Sequence, residues 1–200
     1  EVETSQTVKT NDAAVMLVID VSGSMKSCAE CGGYTDGYGT YYHRGCAGHW
    51  DGERVASKDS RMTAAINAAN SFIDTLVTNN AGGGKIYVSA VKFSTNAYTV
   101  CDWTDVTAPK DQWNDSGADQ VKNKIKTLYA DGGTNLDTGL TLAYNRLGMS
   151  DIASTTAKYT VLLTDGEPTY YNKFESSNTD KITGTTEGYH PTIGGSGSSA

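Results

Sequence analysis

The apolar run Ala13-Ala14-Val15-Met16-Leu17-Val18-Ile19 passes without a break into Asp20-Val21-Ser22-Gly23-Ser24. A continuous apolar stretch of this length predicts a strand buried on both faces. Met62, Ile66, Ala69, Phe72, Ile73 and Leu76 recur by three and four, which predicts an amphipathic helix over 60–76. Asp59 or Ser60 stands where it can cap that helix, and Gly82-Gly83-Gly84 stops it. Ile86 to Phe93 is rich in branched and aromatic residues and reads as a second strand. Ser94 to Ala97 then reads as a turn, and Tyr98 to Cys101 as an antiparallel edge strand. Val121, Ile125 and Leu128 mark a second helix, while Leu136, Leu140, Ala143 and Leu147 mark a third that ends at Gly148. Tyr159 to Leu163 is another buried strand, leading into Thr164-Asp165-Gly166. Strands alternating with helices predict an α/β fold: an open, mainly parallel sheet with one antiparallel edge strand and helices on both faces.

In such a sheet, ligands gather at the carboxyl ends of the strands. Two strands end in carboxylates there, Asp20 and Asp165, and the loop Asp131-Gly132-Gly133-Thr134-Asn135 precedes the third helix at the same rim. Asp20, Ser22, Ser24, Thr134 and Asp165 therefore offer oxygens from three separate loops, and Gly23 lets the first of these bend. Hard oxygen donors suit Mg²⁺, Mn²⁺ or Ca²⁺. Each piece alone has a plainer reading: a turn at Asp20 to Ser24, a helix cap at Thr134, a turn at Asp165-Gly166. Their arrival at one rim favours a metal site.

These three segments, in type and in order, resemble the von Willebrand factor A domain with a metal-ion-dependent adhesion site, a fold similar to the Rossmann type. The resemblance runs from about Ala13 to Thr169 and leaves out an insertion at about 26–58. It implies that Ser22 and Ser24 hold the cation directly, Thr134 directly or through water, and Asp20 and Asp165 mostly through water. A cation held by few protein charges would bind a carboxylate of a protein partner, either a host or matrix protein or a neighbouring subunit. The resemblance extends to bacterial surface and pilus-tip adhesins, which implies an extracellular or cell-surface location. The competing enzyme reading is a phosphotransferase similar to the haloacid-dehalogenase superfamily, which also places an aspartate after its first strand. That chemistry needs a second carboxylic acid two residues on, where this chain has Ser22. No Gly-x-Ser-x-Gly elbow is present to support serine hydrolysis. The expectation is a binding module, with no catalytic residue; a structural assembly role for the same metal stays open beside adhesion.

The insertion shows neither helical nor strand periodicity. Its Gly/Tyr-rich core, 32–48, reads as an exposed loop, either a binding surface or a decoration. Cys28, Cys31, Cys46 and Cys101 can form two disulfides, the reading favoured by an even count in an exported chain. Cys28-x2-Cys31 with Cys46-x2-His49 has the alternative spacing of a zinc knuckle.

The chain has 200 residues, enough for a single domain over 1–200. Its formal charge of -7 disfavours nucleic acid and anionic membrane as partners. No segment approaches the roughly 20 apolar residues that span a bilayer, so no membrane insertion by this segment is expected. The start at Glu1, without a methionine or an apolar leader, fits either a mature product or a trimmed sequence from which any signal peptide has been removed. After about residue 170 the chain turns polar and Gly/Ser-rich, with His190 exposed. The remaining strands and helices of the family fold are therefore expected to be missing there. A strand at Tyr159 to Leu163 left at an unpaired edge would have open hydrogen-bonding groups, so the natural domain is expected to continue past Ala200 or to be completed by another segment.

Overall fold

The computed structural model describes residues 12–148, 152–166, 168–172 and 186–189. Its central sheet is built from β1 (Ala13–Asp20), β5 (Ile86–Phe93), β6 (Ala97–Asp105) and β7 (Ala157–Leu163). Three strands in the first half of the chain, β2 (Tyr34–Thr35), β3 (Tyr41–Cys46) and β4 (His49–Arg54), form a separate sheet. Helices α1 (Arg61–Thr78), α2 (Gly117–Ile125) and α3 (Leu136–Leu147) complete the core, and β8 (Tyr170–Asn172) pairs with β9 (Thr186–Tyr189).

The central sheet has the order β6-β5-β1-β7. β1 runs parallel to both neighbours, while β6 is the antiparallel edge. An apolar run without alternation makes sense for β1, since both of its faces are covered. Val15, Leu17 and Ile19 pack with Met62, Ala69 and Ile73 of α1 and Val121 and Ile125 of α2. Met16 and Val18 point the other way, into a second cluster with Val91, Phe93 and Ala143 of α3. Helices thus lie on both faces, and the parallel register carries the strand ends to one level: Asp20 sits opposite Phe93, and Ile19 opposite Leu163.

The helix starts follow local chemistry. Ser60 caps α1 by accepting a hydrogen bond from the Thr63 N–H at 3.2 Å, and Ser116 caps α2 through the Asp119 N–H. β6 runs on past Cys101 to Asp105, with Asp102 exposed and Trp103 packed against the second cluster, so its far half lacks the continuous apolar run that marks a strand in sequence.

The insertion differs from its expected form. It is not a featureless loop: β2, β3 and β4 make an antiparallel sheet. Its strands are short and mostly exposed, so no apolar stripe marks them. Gly48, at φ +87°, makes the tight turn that joins β3 to β4.

Among the described residues β7 pairs on one side only, and its Tyr159 and Leu162 are exposed. The expected loss of later elements falls mostly on 173–185 and 190–200, and His190 with it, outside the described residues.

Gly139 sits where α3 crosses β5. A Cβ there would stand 2.7 Å from the Phe93 ring. Alanine is ordinarily favoured over glycine in a helix by up to about 1 kcal/mol, so the clash and the propensity oppose each other. Because the ring is fully buried among Met16, Val18, Val91 and Ala143 and has little room to give way, the clash wins. Gly139→Ala is expected to lower the unfolding free energy by about 1–3 kcal/mol in urea denaturation. Gly82→Ala, where nothing lies within 4 Å, should leave it within about 0.5 kcal/mol.

Candidate metal centre

β1 delivers Asp20 to the rim with no solvent exposure. Its carboxylate has two partners: Oδ1 accepts the Ser22 backbone N–H at 2.8 Å, and Oδ2 accepts the Thr164 hydroxyl at 2.7 Å. Burial raises the Asp20 pKa above the ordinary value, against those hydrogen bonds, and the nearby Asp165 charge adds to the rise.

The hydroxyls follow in a chain. Ser22 Oγ and Ser24 Oγ are 3.0 Å apart, and Ser24 Oγ donates to Asp165 Oδ1 at 3.0 Å. The other oxygen of Asp165 receives Arg61 Nη1 at 2.6 Å. Four of the five predicted site residues, Asp20, Ser22, Ser24 and Asp165, are therefore linked in one hydrogen-bonded group together with Thr164.

Thr134 comes from the third loop, which is fastened to the first by backbone bonds. Asp131 N–H donates to the Val21 carbonyl at 2.7 Å, and Gly23 N–H to the Gly132 carbonyl at 2.8 Å. Behind it, the Thr134 N–H bonds Thr169 Oγ1, and the Thr134 carbonyl accepts from the backbone of Thr169 and Tyr170. The cap of α3 is Asn135, whose side chain accepts from the Thr138 N–H. Thr134 is not needed for capping. The residue is buried, 5 % exposed.

Three contributors were not identified in the sequence. Arg61 reads there as the first residue of a helix, and only the fold brings it across 104 positions to Asp165. Thr164 passes for the end of a strand. Tyr41, in the insertion, lies with its hydroxyl 3.9 Å from the Cβ position of Gly23, and its pKa is raised by burial and then by the Asp165 charge. The insertion thus reaches the rim.

The expected disulfides are not formed: all four cysteines are free. Cys101 lies in β6 opposite Ala90, in the core between the sheet and helices α1 and α2. The other three cysteines gather in the insertion with His43, not with His49.

The family model for the von Willebrand factor type A domain matches residues 15–167. The chain belongs to that family. Solved von Willebrand factor A structures and pilus proteins share the fold. The PilB minor pilin of Streptococcus sanguinis is 27 % identical with a TM-score of 0.56, over 82 % of this chain and 31 % of that one. The von Willebrand domain of the type V pili tip protein Mfa5 from Porphyromonas gingivalis is 20 % identical at TM-score 0.53, covering 85 % and 43 %. The pilus adhesin SpaC of Lactobacillus rhamnosus GG is 21 % identical at TM-score 0.55, covering 92 % and 19 %. This chain therefore spans less than half of each. No curated protein sequence matches it. The family commonly binds a divalent metal, and the rim of this von Willebrand factor A domain offers oxygen donors alone. Among the described residues no helix is long and apolar enough to cross a membrane.

The raised pKa of Asp20 has a definite sign. A carboxyl whose folded pKa lies above its unfolded one binds protons more tightly when folded. The metal-free domain therefore loses stability as pH rises from the unfolded value to the folded one, and stays lower above it. Asp20→Asn, which removes the charge but keeps the shape, should melt higher than the unchanged protein at neutral pH without divalent cations. It should gain nothing from added Mg²⁺. Differential scanning calorimetry with and without Mg²⁺ reads both, and a lower melting temperature in chelator would contradict the assignment of cause.

Proposed function

We propose that this von Willebrand factor A domain is a Mg²⁺-dependent ligand-binding module of a surface or pilus protein, acting outside the cell. Ser22, Ser24 and Thr134 hold the cation through neutral hydroxyls, and Asp20 and Asp165 hold its waters. When bound, the cation supplies a Lewis-acidic position for a carboxylate of a protein partner. The observation that carries this reading is the continuous group from Asp20 through Ser22 and Ser24 to Asp165, with the Thr134 loop fastened beside it.

The donor set fits a hard cation. All the groups are oxygens, the two serine hydroxyls are already 3.0 Å apart, and the charge of Asp165 is shared with Arg61. Because the innermost donors are neutral, the cation keeps enough charge to attract an outside carboxylate. Arg61, with its side chain 34 % exposed, adds a second positive group at the edge of the rim, and Tyr41 shapes the side formed by the insertion.

The module is not an enzyme in this reading. Ser22 takes the position at which a phosphotransferase of the haloacid-dehalogenase kind needs its acid, and Ser22 Oγ is occupied by Ser24. Assembly of a pilus, through a carboxylate on a neighbouring subunit, is a second reading favoured by the likeness to a minor pilin. The same cation would serve both.

Titration calorimetry is expected to give one Mg²⁺ site, weakened about tenfold or more by Ser22→Ala or Thr134→Ala, a change of roughly 1.4 kcal/mol. Unchanged affinity in both variants would sink the site. Capture of the domain on immobilised matrix proteins or pilus subunits should require Mg²⁺ and vanish in chelator. Arg61→Gln should weaken that capture more than it weakens Mg²⁺ binding. Turnover of an aryl phosphate that disappears in Asp20→Ala would overturn the non-enzymatic reading.

A further inference from the structure

We propose that Cys28, Cys31, His43 and Cys46 form a structural zinc site that fastens the insertion to the start of α1. The four ligand atoms lie within 4.8 Å of one another. Cys28 Sγ and Cys46 Sγ are 3.8 Å apart, far beyond the about 2.05 Å of a disulfide bond. His43 Nδ1 stands 3.2 Å from Cys46 Sγ and 3.8 Å from Cys31 Sγ. A tetrahedral zinc with bonds of about 2.3 Å to sulfur and about 2.0 Å to nitrogen has edges of roughly 3.8 Å and 3.5 Å. The Cys28–Cys46 distance matches the first edge, and the two distances to His43 Nδ1 bracket the second.

The surroundings suit thiolates. Backbone N–H groups of Glu30 and Cys31 point at Cys28 Sγ, at 3.4 and 3.5 Å, and the Arg44 N–H points at Cys31 Sγ at 3.4 Å. A sulfur that collects N–H donors acts as an acceptor, which is the state a zinc ligand requires. Cys28 and His43 are buried, at 2 % and 0 % exposure.

His43 Nε2 is buried and has no hydrogen-bond partner. With Nδ1 on a cation, Nε2 must carry the proton. Asp59 groups with both histidines: its Oδ2 is buried without a hydrogen bond and lies 3.8 Å from His49 Nε2, and a carboxylate oxygen is within 4.8 Å of a His43 ring nitrogen, so it is a carboxylate that can orient this pair of imidazoles. His49 takes a supporting place: its ring stacks on His43 with centroids 4.0 Å apart, and Glu53 lies 3.2 Å from its Nδ1.

The local fold explains why His43 and not His49 joins the cysteines. His49 is the cross-strand partner of Cys46, beyond the turn at Gly48. Along β3, positions 43 and 46 would face opposite sides in a regular strand. A register shift after Tyr42 and Gly45 at φ +68° break the alternation and turn both ligands to one side.

The other end of the site is anchored in the domain. Cys28 bridges to Ser60, the cap of α1, the Ala29 N–H bonds the Asp59 carbonyl, and the Arg61 N–H bonds the Ser27 carbonyl. Closing the four ligands on one ion ties β3 and its turn to the residue that holds Asp165.

The test is elemental analysis of the folded 200-residue chain, prepared without a histidine tag and dialysed against zinc-free buffer containing excess Mg²⁺. About one zinc per chain is expected, retained in Asp20→Ala and lost in Cys31→Ser or His43→Asn. Cobalt substitution should give the intense thiolate charge-transfer absorption and visible bands of a tetrahedral site. That readout uses the unaltered protein and stands if a variant does not fold. A folded, unaltered chain without zinc would overturn the proposal. So would a mass lighter by two hydrogens with Cys28 linked to Cys46, or zinc that leaves in Asp20→Ala and stays in Cys31→Ser.

Discussion

A carboxylate without solvent must find its compensation inside the protein, and the placement of Asp20 imposes that condition on everything around it. β1 is central and covered on both faces, so its last residue is carried into the interior of the rim. Two hydrogen bonds, from the Ser22 backbone and the Thr164 hydroxyl, meet part of the need, and burial still holds the pKa up. The loop after β1 must bend sharply to supply the first of these. The strand that supplies the second must lie beside β1 in parallel register. The Thr134 loop is pinned to the bend by two backbone bonds, so it cannot drift from the same point. Holding one buried charge in this way also brings Asp20, Ser22, Ser24 and Asp165 into one hydrogen-bonded group and fastens the Thr134 loop beside it.

The strands and helices of the core were legible because their burial is regular. β1 is apolar throughout since both faces are covered, and α1 repeats by three and four since one face is. The hydrogen-bonded group of Asp20, Ser22 and Ser24 was legible because the bend keeps these residues close in sequence, and Asp165 because it follows a strand; Thr134, proposed to join them, stands just before a helix. Arg61 was not, since its role depends on the pairing of α1 with a strand end more than a hundred residues away. Nor was the sheet of the insertion. Its short strands are exposed, and hydrogen bonding between backbones leaves little trace in the pattern of side chains. The grouping of three cysteines was half visible. Their spacing admitted several partners, and the choice of His43 was made by a bulge and a glycine.

The insertion and the rim are not independent parts. Ser27, Cys28 and Ala29 hold residues 59–61 through backbone bonds, and the side chain of Arg61 continues to Asp165. From the other direction, β3 brings Tyr41 to the edge of the same bend. Whatever stiffens the insertion therefore fixes one wall of the rim and one of its charges, and lowers the entropy lost when a partner is bound.

In the proposed binding mode, the ion pair between Arg61 and Asp165 also sets the charge balance of the rim. With both aspartates ionised and Arg61 positive, the rim carries one net negative charge, so an approaching carboxylate is repelled. A divalent cation reverses the sign to one net positive charge, and the incoming carboxylate then closes the account at neutrality. Without Arg61 the bare rim would be doubly negative, and the loaded rim would already be neutral. The two aspartates thus make the cation the first arrival, and the guanidinium leaves room for a single acidic group after it.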